Sequence, residues 1–104
     1  MRILCLCSGG NIRSVHTAML LKHTRSGHDV LAAGVHTASG QTLAMLCGWA
    51  EKILICGANL AGSVPSDYQP KVEQLGIGED RWGIPSMAQD LLQLADQELR
   101  KVGL

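Results

Sequence analysis

A small α/β fold, a four-stranded parallel sheet with helices on both faces, is predicted by three features of this 104-residue sequence. Short apolar runs, Arg2 to Cys7, Asp29 to Val35 and Glu51 to Cys56, recur between helix-like stretches. The runs are continuous rather than alternating, as in strands covered on both sides. The first of them ends in a glycine-bearing turn that opens a helix, the kind of junction at which parallel sheets gather anions outside the carboxyl ends of their strands. The length suits one domain, residues 1–104, with a single core.

Taken in order, Arg2 to Cys7 is the first strand. Ser14 to about Ser26 is a helix whose Val15, Ala18, Met19 and Leu21 give a partly apolar face, and Gly27 ends it. Asp29 to Val35 reads as a second buried strand, His36 to Gly40 as a loop and Gln41 to Trp49 as a brief helix. Glu51 to Cys56 is the third strand. Gly57 to Pro65 is loop-like, and the small-residue stretch Gly57 to Gly62 within it is read as a loop beside the site rather than a hinge between domains. Asp67 to Leu75 is assigned a short helix despite Pro70, and the Gly76 to Gly83 segment holds at most a short fourth strand. In the last helix Ser86 and Gln89 make a capping box, Leu91, Leu92, Leu94, Ala95 and Leu99 supply the apolar face, and Gly103 stops it.

With two tryptophans, one tyrosine and no phenylalanine, the core must be built from Leu, Ile, Val, Ala and Met. Nine basic and nine acidic residues are spread along the chain. No stripe has the charge of a nucleic-acid binder or an anionic-membrane binder, which excludes both as partners. The apolar run at the N-terminus is too short for a secretory leader or a membrane span, so a cytoplasmic protein with reduced thiols is expected. The four cysteines have no C-x-x-C spacing for a metal. Cys5 and Cys7 are assigned to opposite faces of their strand, and Cys5, Cys47 and Cys56 to the core. His23, His28 and His36 lack ligand spacing, and no metal or cofactor is called for.

Chemistry concentrates in Cys7-Ser8-Gly9-Gly10-Asn11-Ile12-Arg13-Ser14. A strand running through a glycine-rich turn into a helix aims several main-chain N–H groups at one spot, and the helix dipole reinforces them. A thiol at that spot ionises early; cysteines so placed have pKa values of roughly 3.5 to 7.5. Five residues separate Cys7 from Arg13, about enough to wrap a tetrahedral oxyanion, and the guanidinium fork can grip two of its oxygens. The Ser14 hydroxyl can donate to the sulfur or cap the helix, and Gly9 and Gly10 permit a turn folded inward. The competing reading makes Cys7 a buried strand-end residue and Gly9-Gly10 an ordinary turn. The strand, the glycines, the serine and the following helix are four separate requirements that favour the cradle.

This loop resembles the signature of the low-molecular-weight protein tyrosine phosphatase family, in which it likewise follows the first strand. The resemblance implies a phosphatase-I-like fold. It makes Cys7 the attacking thiolate, Arg13 the phosphate clamp and Ser14 the partner of the thiolate, with the amides of Ser8, Gly9, Gly10, Asn11, Ile12 and Arg13 holding phosphate oxygens. It also implies a late general acid, and Asp80-Arg81-Trp82-Gly83 resembles the family's D-P-aromatic-G stretch. Asp80 then protonates the leaving oxygen and Trp82 walls the substrate ring. A solvated turn aspartate beside Glu79 and Arg81 is the alternative for Asp80, with Asp67 and Asp90 as weaker candidates. The sequence departs from the family at Gly10, where an asparagine is usual, at Ile12, where a second cysteine is usual, and at Arg81, where the family has proline. His16 is assigned no role, and Trp49 and Tyr68 are assigned to packing.

The implied activity is two-step hydrolysis of a phosphorylated protein, a phosphotyrosyl one above all, or of a small phosphomonoester. Three other functions stay open. A phosphocysteine carrier of the sugar phosphotransferase type has similar size and sheet, though Arg13 at this spacing favours hydrolysis. An arsenate reductase needs resolving cysteines near the site. An anion-binding module would keep the cradle without the acid.

Overall fold

β1 (Arg2–Cys7), β2 (Asp29–Gly34), β3 (Lys52–Ile55) and β4 (Val72–Gln74) form one parallel sheet in the order β2-β1-β3-β4. The computed structural model describes residues 1–9, 12–78, 82–83 and 85–104. Among these the α-helices are α1 (Arg13–Thr24), α2 (Gly40–Trp49) and α3 (Ala88–Lys101), with 3-10 segments at Ala58–Ser63, Ser66–Lys71 and Pro85–Met87.

Handedness explains the layers. The chain leaves β1 in one direction to reach β2, then passes back across β1 to β3 and on to β4. Right-handed crossovers in opposite directions lie on opposite faces, so α1 covers one face and α2 the other. α3 packs beside α1. On the far face the Ser66–Lys71 turn sits against α2: Lys71 Nζ donates to the carbonyls of Cys47 (3.0 Å) and Ala50 (2.6 Å), capping the helix end. The connections after β1 and β3, neighbouring strands, therefore diverge, the arrangement that in open parallel sheets leaves a crevice at the carboxyl ends of the two strands.

Central strands account for the continuous apolar runs. Ile3 to Leu6 and Ile53 to Ile55 are buried, because each strand is flanked by strands and covered on both faces. β2 differs from expectation. It is an edge strand, half-exposed along its length, with Leu31 43% exposed; among the described residues no strand lies along its outer flank.

α1 also buries a different stripe from the one its apolar residues suggest. Arg13, Ser14, Thr17 and Leu21 face inward while Met19 is 53% exposed. The inward turn is polar because it borders the crevice, and Thr17 Oγ1 satisfies itself on the Arg13 carbonyl at 2.8 Å.

Three further boundaries are corrected. The segment after Pro65 is a 3-10 turn through Lys71, and the fourth strand is Val72–Gln74, inside the stretch assigned to helix. Pro70 fits a short 3-10 turn but stops an α-helix from continuing. Residues 76–78 and 82–83 carry no strand. The capping box at Ser86 and Gln89 is not formed: the Pro85–Met87 turn winds directly into α3, which has Met87 before it and no side-chain cap.

The C-terminal stop is as expected. Gly103 (φ +85°) lets Leu104 N–H reach Leu99 O at 2.8 Å while its own N–H bonds Arg100 O, closing a Schellman motif.

α2 does carry a side-chain cap, since Ser39 Oγ accepts from Thr42 N–H at 3.1 Å. Ser39→Ala removes it and is expected to cost about 1 kcal/mol. Urea denaturation would show this as a lower midpoint with an unchanged slope.

Candidate active site

β1 delivers Cys7 to the crevice, and the first turn of α1 delivers Arg13 and Ser14 to the same place. The Cys7 thiol donates to Ser14 Oγ at 3.1 Å. Once the sulfur is ionised the same pair works in reverse, the hydroxyl donating to the thiolate. Cys7 is 2% exposed, and Arg13 and Ser14 are buried beside it.

The Arg13 guanidinium is held on two sides. Its Nη2 donates to Ser8 Oγ at 3.0 Å, within the loop itself, and its Nη1 donates to the Gly78 carbonyl at 2.7 Å, far along the chain. Gly57 lies close by: a Cβ there would stand 3.4 Å from Arg13 Nη1 and 2.9 Å from Asn59 Oδ1, so only glycine fits without displacing a neighbour. This places Gly57 beside the site, as the loop assignment anticipated.

The chain after β2 braces the loop from its other side. Val35 N–H donates to Cys7 O (2.9 Å), His36 N–H to Ser8 O (3.0 Å) and Thr37 Oγ1 to Gly9 O (3.1 Å). At the start of α1, His16 Nδ1 lies 2.7 Å from Ile12 O, so its ring ties down the end of the loop instead of standing in solvent. Ile12 precedes α1 and provides no side-chain cap.

Gly10, Asn11 and Asp80 lie outside the described residues, as do Glu79 and Arg81. Trp82 is 6% exposed and belongs to the apolar core. Trp49 and Tyr68 pack against that core, Tyr68 with its hydroxyl over Gly48.

Cys5 and Cys7 share a face of β1, which corrects the opposite-face assignment: residues two apart on a strand project to the same side. Cys5, Cys47 and Cys56 are buried core thiols. Burial pushes the pKa of Cys5 and Cys47 up, and that of Cys56 up to about 12. A negative charge on Cys7 further disfavours a second one on Cys56, whereas a Thr17 hydrogen bond and Arg13 work the other way. Three of the four thiols are thus kept protonated by their surroundings. Among the described residues, no group of three or more His, Cys, Asp or Glu side chains could hold a metal ion, and no helix is long and apolar enough to cross a membrane.

Sequence reasoning missed Thr37, Gly78 and Glu98, the last of which supports the turn before Gly78. None carries a local signal, because each acts on a residue at least 22 positions away.

No protein-family model and no curated protein matches the sequence. Solved structures do resemble the fold. Wzb from Vibrio vulnificus, in complex with benzylphosphonate, superposes with a TM-score of 0.79 at 15% identity, covering 97% of this chain and 95% of that one. The YwlE arginine phosphatase from Geobacillus stearothermophilus gives 0.71 at 20% identity, over 97% and 92%. A low-molecular-weight protein tyrosine phosphatase from Bacillus subtilis gives 0.70 at 18% identity, over 97% and 98%. With its sheet order, flanking helices and nearly full-length superposition, the chain has the fold of the low-molecular-weight phosphatases.

Proposed function

We propose that residues 1–104 act as one domain hydrolysing phosphomonoesters, phosphotyrosine in particular, through a phosphocysteine. The observation that carries this reading is the meeting of Cys7 Sγ, Ser14 Oγ and the Arg13 guanidinium at the carboxyl end of β1. Cys7 attacks phosphorus in line while the S–P bond forms and the P–O bond breaks, and Asp80 gives its proton to the departing oxygen. Water then attacks phosphorus, Asp80 takes its proton, and the thiolate is released with inorganic phosphate. Arg13 and the loop amides of Ser8, Gly9, Gly10, Asn11 and Ile12 stabilise the equatorial oxygens, the electrostatic work that supplies most of such catalysis. Ser14 steadies the thiolate as attacker and leaving group. Trp82, fixed in the core, serves as a rigid wall beside the leaving group. A cytoplasmic setting, which keeps the thiols reduced, goes with this reading.

A phosphoarginine substrate is the second reading, favoured by the likeness to an arginine phosphatase. The test is turnover of p-nitrophenyl phosphate, a phosphotyrosine peptide and a phosphoarginine peptide by the wild type and Asp80→Asn. Asp80→Asn is expected to lose roughly 10² to 10⁴-fold on the phosphotyrosine peptide, whose phenol is a poor leaving group, and less on p-nitrophenyl phosphate. Equal rates for Asp80→Asn and wild type on the peptide would remove Asp80 from the mechanism. No turnover of any substrate by the wild type would point to the carrier or binding-module readings.

A further inference from the structure

Among the described residues Glu98 is the least exposed acidic residue, 8% exposed and covered near the surface beside the exposed Lys101, and the chemistry above gives it no part. Carboxylates so covered are rare unless paired and hydrogen-bonded. Glu98 projects from α3 onto the turn that follows β4, where its Oε1 accepts from Gly76 N–H at 2.5 Å and its Oε2 from Lys101 Nζ at 2.6 Å. These two bonds, Lys101 first, hold its carboxyl below the usual carboxylate range.

The fit at Gly76 is close. A Cβ at that position would come within 2.6 Å of Glu98 Oε1, so the carboxylate occupies the space a side chain would need. The rest of the turn is equally determined. Leu75 N–H donates to Ile55 O at 2.9 Å, Ile77 is buried in the core, and Gly78 adopts φ +82°, which favours glycine. Two residues after Glu98's contact, the Gly78 carbonyl accepts from Arg13 Nη1.

We propose that Glu98 is a positioning residue for Arg13: by fixing the 76–78 turn through the Gly76 N–H, it sets where the Gly78 carbonyl stands and so how the guanidinium is aimed. The proposal rests on the phosphatase reading for its functional consequence. A fork that must meet two phosphate oxygens tolerates little error, since a displacement of about 1 Å can cost on the order of 10²-fold in rate. Glu98 acts without touching substrate.

Two near-isosteric variants separate this role from a merely structural ion pair. Glu98→Gln keeps the length and the acceptor for Gly76 while losing the charge that holds Lys101. Glu98→Asp keeps the charge but withdraws the acceptor by one methylene. The positioning role predicts that Glu98→Asp loses roughly tenfold or more in kcat/KM and in affinity for inorganic phosphate, with Glu98→Gln recovering most of both. It also predicts that the Arg13 guanidinium ¹H–¹⁵N resonances move in Glu98→Asp and far less in Glu98→Gln. A purely structural ion pair predicts the reverse order in thermal midpoint, with phosphate affinity and Arg13 resonances unchanged in both; that result would overturn the proposal. The resonances decide the matter even if the wild type turns over no phosphoester, in which case the phosphatase reading fails alone.

Discussion

Cys7→Ser is expected to bring phosphoester turnover down on the order of 10⁴-fold or more, to background, while the protein still folds and still binds inorganic phosphate. The serine hydroxyl is a far weaker nucleophile at neutral pH than a thiolate. Yet it is nearly the same size, and Ser14 Oγ, 3.1 Å from the sulfur in the wild type, remains as a partner. Because Cys7 is buried at the end of β1, exchanging sulfur for a hydroxyl should change stability by only about 1 kcal/mol. Stopped turnover with phosphate binding intact, measured by titration, separates lost chemistry from a lost site. Retained turnover would end the covalent mechanism.

Arg13→Lys should fail for geometric reasons despite conserving charge. Lysine is a point charge on a flexible stem, whereas Arg13 spans Ser8 Oγ and the Gly78 carbonyl with different nitrogens of one rigid plane. The expected loss in kcat/KM is roughly 10² to 10³-fold, comparable to removing a main donor to a transition-state oxyanion, accompanied by weaker competitive inhibition by inorganic phosphate. Steady-state kinetics with phosphate as inhibitor measures both. A variant within a few-fold of the wild type in both would show that charge alone suffices and that the fork has no special part.

The contrast between Cys7–Ser14 and Arg13–Gly78 also explains what could be read in advance. Cys7, Arg13 and Ser14 lie within eight consecutive residues, so strand, turn and helix geometry alone predicts that they meet. The central strands were equally legible, because burial on both faces leaves uninterrupted apolar runs. Val72–Gln74 leaves no such mark: half-buried to exposed and three residues long, it is a strand only because Ile53, Leu54 and Ile55 lie alongside. The α1 stripe misled in another way. Arg13, Ser14 and Thr17 are polar residues turned inward, and a pattern read as hydrophobic-in necessarily faces them outward.

By itself the sequence determined the alternation of strands and helices, the meeting of the Cys7 thiol with Ser14 and Arg13, and the C-terminal stop at Gly103, since each depends on neighbours a few residues away. Tertiary structure alone decided which strands are the edges, where the fourth strand lies, that Thr37 and Gly78 meet the loop, and that Glu98 meets the turn before Gly78. Those contacts join residues separated by tens of positions, and their partners are main-chain groups that every residue type presents alike, so no local pattern of side chains could announce them.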